Sequence, residues 1–218
     1  MEEENKQLNQ IQTFAEPAME MEKTEPQIDQ MDDQVEPPLS SYIWDFLKVI
    51  VAAFVVMLLF RFYVAEPYIV SGSSMVPNFH DKEYLIVSKI GYRLEEPKRG
   101  DVIVFRYPKN TKEYYIKRVI GLPGEQVRIV DGRVVIINKD NPQGFVVNES
   151  YLPSTTKTYG GPESVVLGSD EFFVLGDNRQ SSSDSRNWGV LPRNNIIGRT
   201  ALRVLPISEF SLVHRVGQ

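Results

Sequence analysis

Three segments that lie far apart in the sequence carry side chains able to perform nucleophilic catalysis. Ser74 lies in the run Ser71-Gly72-Ser73-Ser74-Met75-Val76-Pro77, Lys117 lies in an otherwise apolar segment, and a Gly-Asp-Asn-Arg turn begins at Gly176. A serine hydroxyl needs a base beside it to become a nucleophile. A lysine removed from water loses its proton more easily and can then act as that base.

Each segment also has a simpler interpretation, as a linker, a solvent-facing lysine or a tight turn. The composition narrows the choice of chemistry. The chain has no cysteine, and its two histidines, His80 and His214, lie in no metal-binding motif. A thiol nucleophile, disulfides and thiolate zinc sites are therefore excluded, and a histidine-based site is disfavoured. A Ser–Lys pair is the serine-protease chemistry that remains.

An apolar segment just before the serine run predicts one transmembrane helix at residues 43–64. Every residue from Val49 to Phe60 is apolar, and 22 helical residues span about 33 Å, close to the hydrocarbon thickness of a bilayer. A buried core helix, a cleaved signal peptide and an in-plane amphipathic helix are the alternatives. They are disfavoured because the segment is apolar on all faces, follows a long acidic region and lacks a polar face.

Residues 1–40 differ in character from the rest of the chain. They contain eleven acidic residues, two lysines and four prolines. Such a segment cannot bury enough apolar surface to offset the entropy lost on ordering. We therefore predict a disordered acidic tail, whose role the sequence does not indicate.

Residues 66–218 predict a mainly β, antiparallel domain. Short segments rich in β-branched and aromatic residues alternate with Gly, Pro and Asn. The predicted strands are Glu83–Ser88, Asp101–Tyr107, Tyr114–Ile120, Val127–Val130, Arg133–Ile137, Phe172–Leu175 and Ile197–Val204. The Asp131-Gly132 pair predicts a two-residue hairpin turn. Residues 138–170 predict a long loop or a small excursion from a barrel-like body, and no helical period is evident after residue 66.

Four motifs, in the same order, resemble those of the type I signal peptidase family. Its S-M-x-P box resembles Ser74–Pro77, and its R-G-D strand resembles Arg99–Val102. Its K-R-x-x-G-x-P-G box resembles Lys117–Gly124, and its G-D-N-R-x-x-S-x-D-S-R box resembles Gly176–Arg186. The resemblance covers residues 43 to about 205, including the apolar segment. It implies a membrane anchor followed by an antiparallel, barrel-like catalytic domain.

The resemblance also implies roles for individual residues. Ser74 is the nucleophile, Lys117 the general base, and Ser182 the residue that orients the lysine amine. The remaining implied residues are structural ion pairs or line pockets for small side chains: Asp184 with Arg186, Asp177 with Arg118, and the pocket residues Val70, Phe79 and Ile116. Some family members have a serine at the position of Gly72 whose hydroxyl helps to bind the oxyanion. Here we expect backbone N–H groups, chiefly that of Ser74, to do so, with Ser71 or Ser73 as open alternatives.

The family further implies that exported preproteins are the substrates and that cleavage follows an Ala-x-Ala pattern. It implies a single-pass protein of the plasma membrane, with its N-terminus in the cytoplasm, its catalytic domain outside and membrane lipid as a partner. No metal, cofactor or nucleic acid is expected. Two rival functions are another Ser–Lys peptidase of the same fold, of the self-cleaving repressor type, and an inactive membrane-anchored β scaffold. The first would need a DNA-binding module and a soluble chain, and the second is disfavoured because Ser74 and Lys117 are both present.

Overall fold

The computed structural model describes residues 39–215. Nearly all of the predicted acidic tail, residues 1–38, lies outside the described residues. The first element is helix α1, Leu39–Tyr63, so the helix begins four residues before the predicted span and includes the last two residues assigned to the tail. Within residues 39–215 it is the one helix long and apolar enough to cross a membrane.

The rest of the described chain is mainly β, as predicted. Its strands are β1 Ala65–Ile69, β2 Tyr84–Ser88, β3 Val102–Tyr107, β4 Asn110–Gly121, β5 Gln126–Val130, β6 Arg133–Ile137, β7 Phe145–Val146, β8 Ser164–Val166, β9 Glu171–Leu175, β10 Leu191–Pro192, β11 Ile196–Leu205 and β12 Ser211–Leu212. Two single-turn helices, α2 at Gly91–Leu94 and α3 at Ser185–Trp188, interrupt the strands. So do two short 3-10 segments, Arg193–Asn195 and Ile207–Glu209.

The strands form two antiparallel sheets. The larger has the order β1-β2-β11-β3-β4-β9-β10, with β12 also paired to β11, and the smaller has the order β7-β6-β5-β8. Within residues 39–215 the two ends of the larger sheet, β1 and β10, do not pair, so the barrel-like body predicted from the sequence is not a closed barrel. The smaller sheet begins with the hairpin predicted from Asp131-Gly132, where both residues have positive φ, 51° and 75°. Such angles are those of a type I′ turn, which suits the twist of paired strands.

The excursion at residues 138–170 is more structured than its sequence suggested. Its strands β7 and β8 extend the β5–β6 hairpin on its two edges. An apolar cluster that includes Val127, Val134, Ile136 and Leu167 joins this sheet to Phe173 of β9 in the larger sheet. The excursion is therefore packed on the strand that precedes the Gly-Asp-Asn-Arg turn.

Candidate active site

The serine run folds into a tight turn fixed by one buried side chain. Met75 is 1% exposed and packs with Val70, Phe79 and Leu85 in an apolar cluster below the turn. The Met75 carbonyl accepts hydrogen bonds from the N–H groups of Asn78, at 3.0 Å, and Phe79, at 2.9 Å. These bonds hold Ser74 at the rim of the cluster, where it remains partly exposed.

Lys117 is carried by β4, which pairs with β3 on one side and β9 on the other. Its side chain is only 4% exposed. The Nζ atom donates to the Ser74 hydroxyl oxygen at 2.8 Å and to the Ile116 carbonyl at 2.8 Å. The fold thus brings the serine and the lysine, 43 residues apart in the chain, into direct contact.

Burial changes the acidity of this lysine. Desolvation lowers the pKa of Lys117 from 10.5 to about 8, against the opposing attraction of the Asp184 and Asp177 carboxylates, which raises it. A charged ammonium loses more hydration free energy on burial than a neutral amine, which explains the direction of the change. A substantial fraction of Lys117 is therefore neutral near pH 8.

The Gly-Asp-Asn-Arg turn and its continuation pack against Ser74. The Asn178 N–H donates to the Ser74 carbonyl at 3.0 Å, and the Asn178 side chain donates to the Ser73 carbonyl at 3.1 Å. A methyl group placed on Gly176 would lie 2.5 Å from the Ser74 carbonyl oxygen and 2.2 Å from the Ser182 hydroxyl oxygen. Only glycine at position 176 allows these segments to approach so closely.

The residues expected to form ion pairs meet as two buried pairs. Arg118 donates to Asp177 from Nε at 2.8 Å and from Nη2 at 2.6 Å. Arg186 donates to Asp184 from Nε and from Nη2, both at 2.8 Å. Asp184 also accepts the Gly176 N–H at 3.0 Å and caps α3, so it ties the turn to the helix that follows.

The expected oxyanion groups differ in availability. The Gly72 N–H donates to the Asp81 carboxylate at 2.8 Å. The Ser74 N–H donates to no partner within residues 39–215. The backbone donor of Ser74 is thus the one left free for an incoming oxygen, whereas that of Gly72 is occupied.

A cleft of about 430 Å³, here called the main cleft, opens beside Ser74 and Lys117. Val70 and Ile116 line it, as expected for pocket residues, together with residues of β1 and β4. Phe79 does not lie among the described lining residues. Its ring is 2% exposed and packs in the cluster below, with the Arg203 guanidinium 5.0 Å from its centre. Phe79 contributes to the apolar cluster that also contains the cleft residues Val70 and Leu85, and its role as a pocket residue stays a prediction.

Ser182 does not make the hydrogen bond expected of it. Its hydroxyl is buried and has no hydrogen-bond partner among residues 39–215, and Lys117 Nζ bonds instead to Ser74 and Ile116. Ser182 lies beside Ser74 through their shared contact with Gly176. The structure places Ser182 at the site but leaves its hydroxyl unused.

Sequence reasoning missed a set of residues that link the nucleophile turn to the ion pairs. The Asn78 side chain donates to the Asp177 carboxylate at 2.8 Å and to the Tyr151 carbonyl at 3.0 Å. Tyr151 also stacks under the Arg118 guanidinium, 4.0 Å from its ring centre. The amide directly after Pro77 was the available clue for Asn78, whereas no local pattern marks Tyr151.

Comparisons with known proteins identify the family of this chain. The profile of the family described as "Signal peptidase, peptidase S26" matches residues 43–205. Signal peptidase I of Leptolyngbya laminosa is 41% identical over 181 residues, which cover 80% of this chain and 85% of that protein. Probable signal peptidase I-2 of Synechocystis is 35% identical over 81% of this chain and 79% of its own. Signal peptidase I of Bacillus amyloliquefaciens is 35% identical over 78% of this chain and 89% of its own length.

Fold, site and similarity together define a serine endopeptidase. The chain belongs to the signal peptidase family, peptidase S26, as the motifs predicted. The one apolar helix of membrane-spanning length within residues 39–215, together with the relatives, indicates a membrane-anchored enzyme. Membership in this family implies preproteins as substrates.

Proposed function

We propose that this chain removes signal peptides from exported preproteins, with Ser74 as nucleophile and Lys117 as general base. The observation that carries the proposal is the 2.8 Å contact between Lys117 Nζ and Ser74 Oγ in a site that lowers the lysine pKa to about 8. Geometry and acidity both suit a base that must take a hydroxyl proton near neutral pH.

The chemistry proceeds in two halves. In the first, the neutral Lys117 amine takes the Ser74 proton while Oγ attacks the scissile carbonyl carbon. The resulting tetrahedral intermediate collapses when the C–N bond breaks and the lysine returns the proton to the leaving amine. In the second half, Lys117 takes a proton from a water that attacks the acyl carbon. The bond from this carbon to Ser74 Oγ then breaks, Lys117 returns the proton to Oγ, and the signal peptide leaves with a new carboxylate.

The Ser74 N–H is the proposed oxyanion donor, because it is free in the described part of the chain. Fixed backbone dipoles stabilise the negative charge that develops on the carbonyl oxygen. The N–H of Gly72 is held by Asp81 and is not proposed as a second oxyanion donor. Gly72 instead shapes the turn before Ser74, because its φ of 90° is one that glycine readily adopts. Ser182 is proposed to orient the lysine amine during turnover, when the hydrogen bond from Nζ to Ser74 is broken.

The main cleft suits small side chains before the cut. Val70 and Ile116 are apolar residues that line it close to the dyad. We propose that they limit the residue before the cut, and the residue two positions earlier, to alanine-sized groups. A bulky side chain would overpack such a pocket at a cost of about 1–3 kcal/mol.

The reaction also sets the proposed topology. A signal peptide lies in the bilayer while the exported part of the preprotein emerges outside the cell. The catalytic domain then lies on the outer side of the plasma membrane, and residues before α1 lie in the cytoplasm.

The test is cleavage of a purified preprotein with an Ala-x-Ala site by the full chain in detergent. We expect one cut after the second alanine, and a rate lower by about 5- to 150-fold when that alanine is replaced by leucine. Ser74→Ala should be inactive. Lys117→Arg should also be inactive, although it keeps the charge, because a guanidinium does not give up its proton in this range. Each variant is checked for native folding by circular dichroism.

Two results would contradict the proposal. Near-normal cleavage by folded Lys117→Arg would remove the lysine from the mechanism. Failure of the folded wild-type chain to cut any preprotein would favour the inactive scaffold instead.

A further inference from the structure

A second cavity, here called the side cleft, lies next to the dyad and has no role in the mechanism above. Its volume is also about 430 Å³, and the residues that matter to its chemistry are Lys157, Tyr159, Gln180, Ser182 and Arg186. The two clefts adjoin at consecutive residues, because Ser182 lines the side cleft and Ser183 lines the main cleft. The boundary between them therefore runs along the segment that packs on Ser74.

The position of this boundary matters for an extended substrate. The Ser182 hydroxyl oxygen and the Ser74 carbonyl oxygen both lie within 2.5 Å of the position that a methyl group on Gly176 would occupy. Ser74 and Ser183 line the main cleft, and Ser182 lines the side cleft, so residues 182–183 separate the part of the main cleft near Ser74 from the side cleft. The substrate peptide continues past the scissile bond, and the side cleft is the cavity that lies next to the residues after this bond.

Of the three basic side chains that line the side cleft in the described chain, two are neutralised by a carboxylate and one is not. Arg186 is paired with Asp184 at 2.8 Å, and Arg179, which also lines this cleft, is paired with Glu149. Lys157 has no ion-pair partner within the described chain, and no carboxylate lies among the described lining residues. The side cleft thus presents one uncompensated positive charge.

The Lys157 side chain is held rather than free along its length. A methyl group on Gly132 would lie 2.9 Å from Lys157 Cδ and 3.2 Å from its Cβ. The neighbouring Thr158 N–H donates to the Gly132 carbonyl at 2.9 Å. The aliphatic stem therefore lies on the β5–β6 turn, and Lys157 lines the side cleft from this held position, which lowers the entropy lost when its ammonium pairs.

We infer that the side cleft receives the first residues after the cut, and that Lys157 selects substrates with an acidic side chain there. This inference rests on the proposed function. It adds a determinant on the mature side of the cleavage site, whereas the main cleft reads the residues before it. An exposed ion pair of this kind favours the acidic substrate by about fivefold at low salt, and less at high salt.

The test uses the full chain in a neutral detergent with matched preproteins. Each carries Asp or Asn at the first, second or third residue after the same Ala-x-Ala site, and kcat/KM is measured by competition. Wild type should prefer Asp at one of these positions. Lys157→Met, which keeps the packed stem but not the charge, should abolish the preference, and Lys157→Arg should retain it. Lys139→Met is the matched control, because Lys139 is exposed and lines neither cleft.

The outcomes separate the two proposals. Equal cleavage of Asp and Asn substrates by wild type, or a preference that persists in Lys157→Met, would overturn the inference and leave the proposed function intact. Cleavage of none of the substrates by wild type would overturn the proposed function and the inference with it. A preference lost equally in Lys139→Met would also overturn the assignment, because it would reflect overall charge.

Discussion

Arg118 and Asp177 form a two-point ion pair in which neither side chain is more than 3% exposed. Arg118 directly follows Lys117 in β4, and Asp177 is the second residue of the turn that contacts Ser74. The pair therefore fastens the strand that carries the proposed base, Lys117, to the turn that packs on the proposed nucleophile, Ser74. Removal of one partner would leave the other charge buried without compensation.

Asp177→Asn should accordingly destabilise the enzyme by about 3–5 kcal/mol. Urea unfolding followed by the fluorescence of the buried Trp188 measures the effect. The control is Glu96→Gln, which removes the pair between Arg193 and an 80% exposed glutamate and should cost no more than about 1 kcal/mol. Equal losses in the two variants would contradict a structural role for the buried pair.

Gly176→Ala should abolish cleavage, because its methyl group would collide with the Ser74 carbonyl and with Ser182. The Ser74 carbonyl is part of the backbone and cannot rotate away like a side chain. A contact of 2.5 Å therefore shifts the turn that carries Ser74, the proposed nucleophile. Gly91→Ala is the control, since its methyl group would meet only Ser88 Oγ, at 3.6 Å. Rates of preprotein cleavage by the two purified variants test this, and an active Gly176→Ala would show that the site tolerates the shift.

The cleavage rate should rise with pH through about 8, the pKa of Lys117, because the neutral amine is the active form. At pH 6 the rate should be about 1% of its plateau. Asp184→Asn removes a charge that raises this pKa, so its rising limb should lie at lower pH. Profiles of kcat/KM from pH 5.5 to 9.5 for wild type and Asp184→Asn locate the rising limb of each enzyme. A rising limb at the same pH in both would argue against an effect of the Asp184 charge on the Lys117 pKa.

Lys117→Met should be inactive but more stable than wild type at neutral pH. The folded-state pKa of Lys117 is lowered, so below pH 8 burial of its charge destabilises the wild type by roughly 3 kcal/mol. Between pH 8 and 10.5 the unfolded state binds more protons, and the wild type recovers this stability as pH rises. Urea unfolding of both proteins at pH 7 and pH 10 should show the difference shrinking; a constant difference would contradict burial as its cause.

Ser182→Ala should lower kcat without lowering the unfolding free energy. The hydroxyl has no partner in the described structure, so the folded state loses no hydrogen bond when it is removed. If Ser182 orients the amine only during turnover, KM should be unchanged. Steady-state kinetics beside urea unfolding separate the effects, and an unchanged kcat would end the proposed role of Ser182.

The strands were predicted well wherever their cues were local. The Asp131-Gly132 pair predicted the β5–β6 hairpin, and segments rich in β-branched and aromatic residues placed β3 and β11 within one residue of their observed ends. Strands β7 and β8 were missed because they have only two and three residues. Their stability comes from pairing at the edges of the hairpin rather than from their own propensity.

Sequence motifs were enough to name the two central residues of the candidate site but not the residues that connect them to the rest of the fold. Ser74 and Lys117 were both named from the sequence, and the structure places them in contact. The links through Asn78 and Tyr151 could not be predicted, because they join segments 73 and 99 residues apart in the chain. Partners at such separations depend on how loops pack, and a single sequence does not encode that in any local pattern.

The 43 residues that separate the proposed nucleophile, Ser74, from the proposed base, Lys117, have a consequence for the synthesis of the enzyme. A nascent chain carries both groups from the moment they are synthesised, yet neither reacts alone. A lysine in an unfolded chain is hydrated and charged, and a lone serine is a poor nucleophile. Under the proposed mechanism, proteolytic activity therefore arises only once β4 has joined the sheet and buried its lysine, so a polypeptide that is still unfolded cannot digest itself or its neighbours.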